Sequence, residues 1–435
     1  DKDEWGEEFC FKLNGEKVFA MGANYIPEDQ LIARRTEMRT RRLLEDCAAA
    51  NYNTIRVWGG GFYPDDWFYD ICDELGLIVL QDFMFACSAY LLTKTFEKSV
   101  REEVRQNVLR LRNHASLGLW CGNNEIESAW EGWGLPDDPQ AKADYLTIFE
   151  EIIPQILAEK DPETSYHPSS PSSGGGFKQS SSNHAGDMHY WDIWHNLKPI
   201  EDFRKYYYRF CSEYGFESVP ALKTMLTIAD PARGDLDLMS PVMEAHQKCE
   251  QGNEKLMFYL AQMVRYPYDF AQLIYSSQLL QADCIRSSVE HMRRARGRCM
   301  GSLYWQVNDS NPVISWSSID YFGRWKALHY YAKRFYAPVL LSLDDSDISA
   351  LKFNISNETL SSVSGEVYWY LRDNESKILD SGHFSASVNA MSACDFAPID
   401  LSKLLSTEHD KRTRYIEYRL EIGGKTVSRG STLFT

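Results

Sequence analysis

The stretch Leu117-Gly-Leu-Trp120-Cys121-Gly-Asn-Asn124-Glu125 carries the reading of this chain. A short apolar run breaks into Gly, Asn and Glu, the pattern of a buried strand whose end reaches the rim of a parallel barrel, where side chains meet a substrate. The pattern returns at Tyr208-Arg-Phe210-Cys211-Ser-Glu213-Tyr-Gly-Phe216, with Glu213 behind a second apolar run. Two carboxylates offered at one rim are the working parts of glycoside hydrolysis: one protonates the leaving oxygen, the other attacks or activates water. Among 62 acidic residues a single such glutamate would read as a rim ion pair; their shared context sets these two apart.

Working outward, residues 1 to about 335 alternate strand-like and helix-like patterns. Candidate strands cover 18–24, 54–58, 77–82, 117–121, 165–168, 188–191, 208–213 and 302–307. Between the second and third, residues 64–75 read as a helix. Pro64 opens it, Asp65 and Asp66 suit its N-terminal end and Gly76 closes it. Trp67, Phe68, Ile71, Cys72 and Leu75 share one face, and Val100, Val104, Val108 and Leu111 do the same in the next helix. Eight strand–helix units predict an α/β fold, a (β/α)8 TIM barrel. A barrel of roughly 250 residues allots about 31 to each unit. The 88 positions between Glu125 and Glu213 therefore suit strands four and seven. The Ser- and Gly-rich segment 169–187 is expected to be a mobile loop over the site. After Tyr336-Ala-Pro338 the pattern changes to period two, in 349–355, 366–371 and 414–422, which predicts a small all-β immunoglobulin-like sandwich. Two domains are expected, 1–338 and 339–435.

Bulk properties narrow the class. Of 435 residues 44% are hydrophobic and 25% charged, and the formal net charge is −16, which disfavours nucleic acid and anionic membrane as partners. No apolar stretch is long enough to span a bilayer. The ten cysteines form no CxxC pair, and Cys72 and Cys284 sit in helical apolar patterns, as buried free thiols do; a reducing, cytoplasmic compartment fits best. Asn-x-Ser/Thr triplets at Asn308, Asn354, Asn357 and Asn374 would matter only in a lysosomal or secreted setting. The oligomeric state stays open. The 12 Trp and 25 Tyr suit sugar faces as well as cores.

Around the two glutamates the residues suggest roles. Arg56, at the end of strand two in Arg56-Val-Trp58-Gly-Gly-Gly61, is a charge aimed into a barrel and needs a carboxylate partner there, which would favour the ionised form a nucleophile requires. Trp58 follows it either as a sugar platform or as core. Asn124 is placed to bind a sugar hydroxyl or to serve a turn. Tyr190 is expected to reach Glu213 from the neighbouring strand, and Trp305 ends the last strand beside amides. His184, His189, His195 and Asp187 are close in sequence, but their spacing matches no common zinc pattern, so no metal and no cofactor is expected and these histidines are read as hydrogen-bonding within loops. Glu127 and Glu217 are read as structural.

With these residues in view the chain resembles the β-mannosidases of glycoside hydrolase family 2. The resemblance rests on Arg-Val-Trp-Gly-Gly-Gly at 56–61, Gly-Asn-Asn-Glu at 122–125, Ser-Glu-Tyr-Gly-Phe at 212–216 and Tyr-Trp-Gln-Val-Asn-Asp at 304–309. It implies a retaining exo-hydrolase of terminal β-D-mannose acting on β-mannoside oligosaccharides. It makes Glu125 the acid/base, Glu213 the nucleophile, and Arg56, Asn124 and Tyr190 a supporting shell. Trp58 and Trp305 become walls of the sugar subsite, with Trp133, and Trp130 beside it, toward the leaving group. Galactosidases and glucuronidases of the family usually carry a His-containing motif where this chain has Trp-Gly-Gly-Gly; exo-glucosaminidases are nearer. Full-length relatives place two β domains before the barrel, one giving a carboxylate to the sugar pocket. The chain as given opens on the barrel, so reduced or absent activity is expected. The alternatives are an exo-glycosidase for another sugar, such as glucosamine or galactose, a non-catalytic glycan-binding form, and a metal-dependent hydrolase.

Overall fold

The computed structural model describes residues 1–135 and 137–434. Eight parallel strands form one curled sheet: β1 Ala20–Tyr25, β2 Thr54–Val57, β3 Ile78–Asp82, β4 Leu117–Cys121, β5 Tyr166–His167, β6 Met188–Tyr190, β7 Cys211–Tyr214 and β8 Gly301–Tyr304. Each falls within two or three residues of its expected place, because every one is an apolar run ended by turn chemistry. The ladder runs β6-β7-β8-β1-β2-β3-β4-β5, with helices between successive strands except β5 and β6, which the 169–187 segment joins. The seam between β5 and β6 is bridged by side chains: Asp187, just before β6, takes His167 of β5 at 2.9 Å. The fold is a (β/α)8 barrel.

Two layers fill its interior. At the N-terminal end Ala20, Leu80, Leu119, Cys121, Phe210 and Leu303 form an apolar plug, against which Phe9 and Phe11 pack from below. Gly301 is required there, since a Cβ would stand 2.1 Å from the Phe210 ring. One step toward the C-terminal ends the inward residues turn polar, to Asn24, Arg56 and Asp82. The outward faces pack on the helices in the main core.

The helices follow their sequence signals. Asp66–Leu75 buries Phe68, Tyr69, Ile71 and Cys72 and ends at Gly76, whose φ of +70° and N–H to Cys72 make the left-handed stop that glycine allows. Lys94–Leu111 is capped by Thr93 and buries Val100, Val104, Val108 and Leu111.

Among the described residues the sandwich has seven strands: β9 Val339–Asp344, β10 Lys352–Asn357, β11 Val363–Asp373, β12 Ile378–Val388, β13 Ser392–Asp395, β14 Arg414–Ile422 and β15 Lys425–Leu433. They form antiparallel sheets ordered β9-β10-β13 and β12-β11-β14-β15. Alternate residues such as Val367, Trp369 and Leu371 enclose a separate apolar core. We propose residue 338 as the division between the two units, since β9 starts at the next residue and no residue of the sandwich core precedes it.

The segment 169–187 differs from expectation. Rather than hanging free it is tied down. Gly176 and Phe177 donate to Glu150 and Glu127, Ser180 donates to Glu131, and the Phe177 ring packs on Trp130 and Tyr145. Its glycines read as flexibility in sequence, but Gly174, Gly175 and Gly176 all have positive φ and serve tight turns.

Candidate active site

Arg56 is the hub. Its guanidinium is fully buried at the end of β2, with Nη1 donating to Glu213 Oε2 (2.7 Å) and Asn24 Oδ1 (2.8 Å), and Nη2 to Asp82 Oδ2 (2.7 Å) and Asn124 Oδ1 (2.7 Å). Asp82 holds its place through a third donor, the Gly59 N–H at 3.0 Å. Gly59 has to be glycine, because a Cβ would meet the Phe83 and Phe85 carbonyls at 2.7 and 2.8 Å. Burial disfavours the charged guanidinium, but Asp82 and Glu213 outweigh it and keep Arg56 protonated.

Glu213, on β7, accepts from Arg56 on one oxygen and from Trp191 Nε1 at 3.0 Å on the other. Glu125 follows β4 by four residues. Its backbone N–H donates to Ser170 O at 2.8 Å, and its φ of +64° is left-handed, a conformation that costs a non-glycine residue about 1–2 kcal/mol. Strain of this kind at the head of helix Ile126–Gly132 turns the carboxyl inward. Glu125 Oε2 receives Asn124 Nδ2 at 3.2 Å and faces Cys87 Sγ at 3.7 Å; Oε1 meets His189 Nδ1 at 2.7 Å. His189 Nδ1 is also 3.7 Å from Glu213 Oε2, and donor atoms of Glu125, His189 and Glu213 lie within 4.8 Å of one another.

The electrostatics separate the two carboxyls. Burial pushes Glu125 up to about 7 against the charge of Arg56 and the hydrogen bonds of Asn124 and Cys87, so a large share of it keeps its proton near neutrality. Burial also raises Glu213, but the charge and the hydrogen bond of Arg56 oppose that rise. Burial lowers His189 to about 4. The Glu125–His189 contact is therefore a hydrogen bond within a neutral pair rather than an ion pair, since burial drives both members toward their uncharged forms. One acid and one stabilised carboxylate facing each other can protonate a leaving group and attack a carbon.

Set against known proteins, residues 349–435 match the family model described as Mannosidase Ig/CBM-like domain. The β-mannosidase of Bos taurus is 38% identical over 368 residues, covering 79% of this chain and 41% of that protein. β-Mannosidase B of Thermothelomyces thermophilus is 36% identical over 356 residues, covering 78% and 41%. The crystal structure of β-D-mannosidase from Dictyoglomus thermophilum superposes with a TM-score of 0.93 at 32% identity, covering 100% of this chain and 52% of that one. Over 79% of its length the chain is similar to β-mannosidases. It spans about two fifths of the length of the curated relatives it matches.

In this chain the sequence-predicted residues fall into two groups. Arg56, Asn124, Glu125 and Glu213 converge in one hydrogen-bonded set. Trp58 and Trp305 meet edge to face at 5.0 Å, one just beyond β2 and the other just beyond β8. Tyr190 is a correction. It points away from the barrel axis into an aromatic cluster with Phe203, Tyr206 and Tyr208, because neighbours on a strand face opposite sides and His189 takes the inward one. The contact expected of Tyr190 is made by Trp191. Trp133 lies at the far end of helix Ile126–Gly132, 54% exposed, and Trp130 is packed on Tyr145 and Phe177. Glu127 holds the Phe177 N–H, and Glu217 is buried beside Lys326.

Sequence reading missed Asn24, Asp82, Cys87, His189 and Trp191. The histidines grouped in sequence disperse: His184 bonds the Trp5 carbonyl and His195 packs on Trp191, while His189 enters the site. The signal available was period two, since His189 shares strand parity with Trp191. Two clusters among the described residues have metal-compatible spacing, Asp70–Asp73–His114 at the surface and Glu125–His189–Glu213 in the site. In the second, Arg56 and Trp191 already serve Glu213.

Proposed function

We propose that this chain carries the catalytic barrel of a retaining exo-β-mannosidase that removes terminal β-D-mannose from oligosaccharides. The observation that carries this reading is the facing of Glu125 and Glu213, with an oxygen of each within 4.8 Å. Retaining enzymes hold their carboxyls about 5–5.5 Å apart, whereas inverting ones leave room for water at about 6.5–9.5 Å. Glu213 Oε attacks the anomeric carbon while the Glu125 proton passes to the glycosidic oxygen and the C–O bond breaks. Glu125, now a carboxylate, takes a proton from water as that oxygen bonds the anomeric carbon and displaces Glu213. Arg56 and Trp191 stabilise the nucleophile before attack, and Trp58 with Trp305 offers apolar faces to the sugar ring. The ten unpaired cysteines support a reducing, cytoplasmic setting.

Hydrolysis of a panel of p-nitrophenyl β-D-glycosides tests the reading. The β-mannoside should be turned over in preference to the glucosaminide and galactoside. Glu213→Ala should lower kcat by at least about 10⁴-fold, and azide should restore release from an activated mannoside by Glu125→Ala with net retention. Preference for another sugar would reassign the substrate; binding without release by the wild type would overturn hydrolysis.

A further inference from the structure

His189 is engaged on both ring nitrogens, and the proton count along that line is constrained. Asp187 accepts from four donors: Ser172 N–H and His167 Nε2 on Oδ1, each at 2.9 Å, and the Ser170 and Ser212 hydroxyls on Oδ2, each at 2.5 Å. A carboxylate served in this way is ionised. Burial works against its charge, but His167 and the hydrogen bonds outweigh it and hold Asp187 well below the usual range.

Ser170 has one hydroxyl hydrogen. At 2.5 Å from an ionised oxygen that hydrogen lies toward Asp187, which leaves only lone pairs toward His189 Nε2, 2.9 Å away. Nε2 must then be the protonated nitrogen. In the uncharged ring Nδ1 can only accept, so the proton in the 2.7 Å contact with Glu125 Oε1 belongs to Glu125.

We propose that Asp187 and Ser170 are positioning residues that lock His189 in its Nε2–H form, so that the Glu125–His189 pair stores the single proton the acid step uses. This deepens the functional reading above and rests on Glu125 being the acid. The line runs across the one seam of the barrel that the strand ladder does not close, from the end of β5 through the 169–187 segment to β6. That position gives the tied-down segment a catalytic reason.

The groups facing the pair come from every side. Cys87 Sγ approaches Glu125 Oε2 at 3.7 Å from the segment after β3, and Glu213 Oε2 stands 3.7 Å from Nδ1 on β7. Arg56 and Asp82 contribute from β2 and β3 through Glu213 and Asn124. Without the Ser170 acceptor the ring is free to place its proton on Nδ1 instead. It would then donate to an ionised Glu125 and favour early loss of the acid proton.

The deciding measurement is nitrogen NMR of 15N-histidine-labelled wild-type protein at pH 6, with His189 assigned by its disappearance in His189→Gln. The expected signature is one protonated and one accepting nitrogen, with Nε2 carrying the proton. A doubly protonated ring, or the proton on Nδ1, overturns the proposal without any variant. Ser170→Ala keeps both backbone hydrogen bonds of residue 170 and should shift the proton to Nδ1. In that variant the alkaline limb of kcat/KM should fall by about one pH unit. The rate on phenyl β-mannoside at pH 7 should drop about fivefold, while 2,4-dinitrophenyl β-mannoside, whose leaving group needs no acid, stays within about twofold. An unchanged tautomer and pH profile in Ser170→Ala would also overturn the proposal. If no glycoside is turned over at all, the functional reading fails while the wild-type NMR result still decides the relay.

Discussion

Glu125 shows how the site trades stability for chemistry. Its left-handed backbone and buried carboxyl both raise the energy of the folded state, and the second does so in a pH-dependent way. A carboxyl at about 7 in the folded protein, against about 4.5 unfolded, makes the native state the better proton binder. Its penalty is absent below the unfolded value, grows as pH rises from about 4.5 to 7 and is complete above that. Glu125→Gln cannot ionise and can still donate to His189 Nδ1. Relative to the wild type it should gain on the order of 3 kcal/mol between pH 5 and pH 8, read from urea unfolding at each pH. A flat difference across that range would mean that Glu125 ionises normally.

At the scale of elements, what positions the chemistry is where strands stop. β2, β3 and β7 carry Arg56, Asp82 and Glu213 as their last residue or the one before it, while β4 needs four further residues and a left-handed turn to bring Glu125 round. The 169–187 segment acts as an element of the barrel wall, and Gly186 is its tightest point: φ is +67°, and a Cβ would stand 1.7 Å from the Ser172 carbonyl. Gly186→Ala should cost about 2 kcal/mol by denaturant unfolding. It should also lower kcat more than it raises KM, because Asp187 is the next residue. An unchanged kcat alongside the stability loss would detach this segment from catalysis.

Across the whole molecule, the barrel and the sandwich are joined along the end of helix Phe270–Arg294. The Ser356 hydroxyl of β10 donates to the Arg293 carbonyl, and Arg296 pairs with Glu358 at 2.7 Å with both side chains nearly enclosed. Arg296→Met strands the Glu358 charge and should cost about 3 kcal/mol, whereas Arg296→Met with Glu358→Leu should recover most of it. Thermal unfolding of the two variants checks this, and equal losses would show that the pair is held for another reason. Burial also sorts the glycosylation triplets. Asn308, Asn354 and Asn357 are buried with their amides donating to Ile26 O, Asp395 and Ser361 O, while Asn374 is exposed in a turn. Passage through a secretory pathway should therefore leave a glycan at Asn374 alone, and mass spectrometry finding one at Asn354 would contradict the packing of β10.

Among the described residues no helix is long and apolar enough to cross a membrane. Much of the rest was equally local. An apolar run stopped by Gly-Asn-Asn-Glu, a Pro-Asp-Asp start and a Gly stop are decided within a few residues of chain, so the eight strands, the helices between them and the period-two sandwich could be read without coordinates. The two glutamates and Arg56 were legible for a related reason: a charge at the end of a buried strand has few places to go. What the sequence did not contain was which inward neighbour each group would meet. His189 and Tyr190 are adjacent, and only the register of β6 on β7 turns the histidine to the acid and the tyrosine to the helices. Likewise Ser170 and Asp187 stand far apart in a stretch that reads as a flexible loop. They come together because closing the barrel leaves a polar seam between β5 and β6, and buried hydroxyls and carboxylates there must find partners in one another.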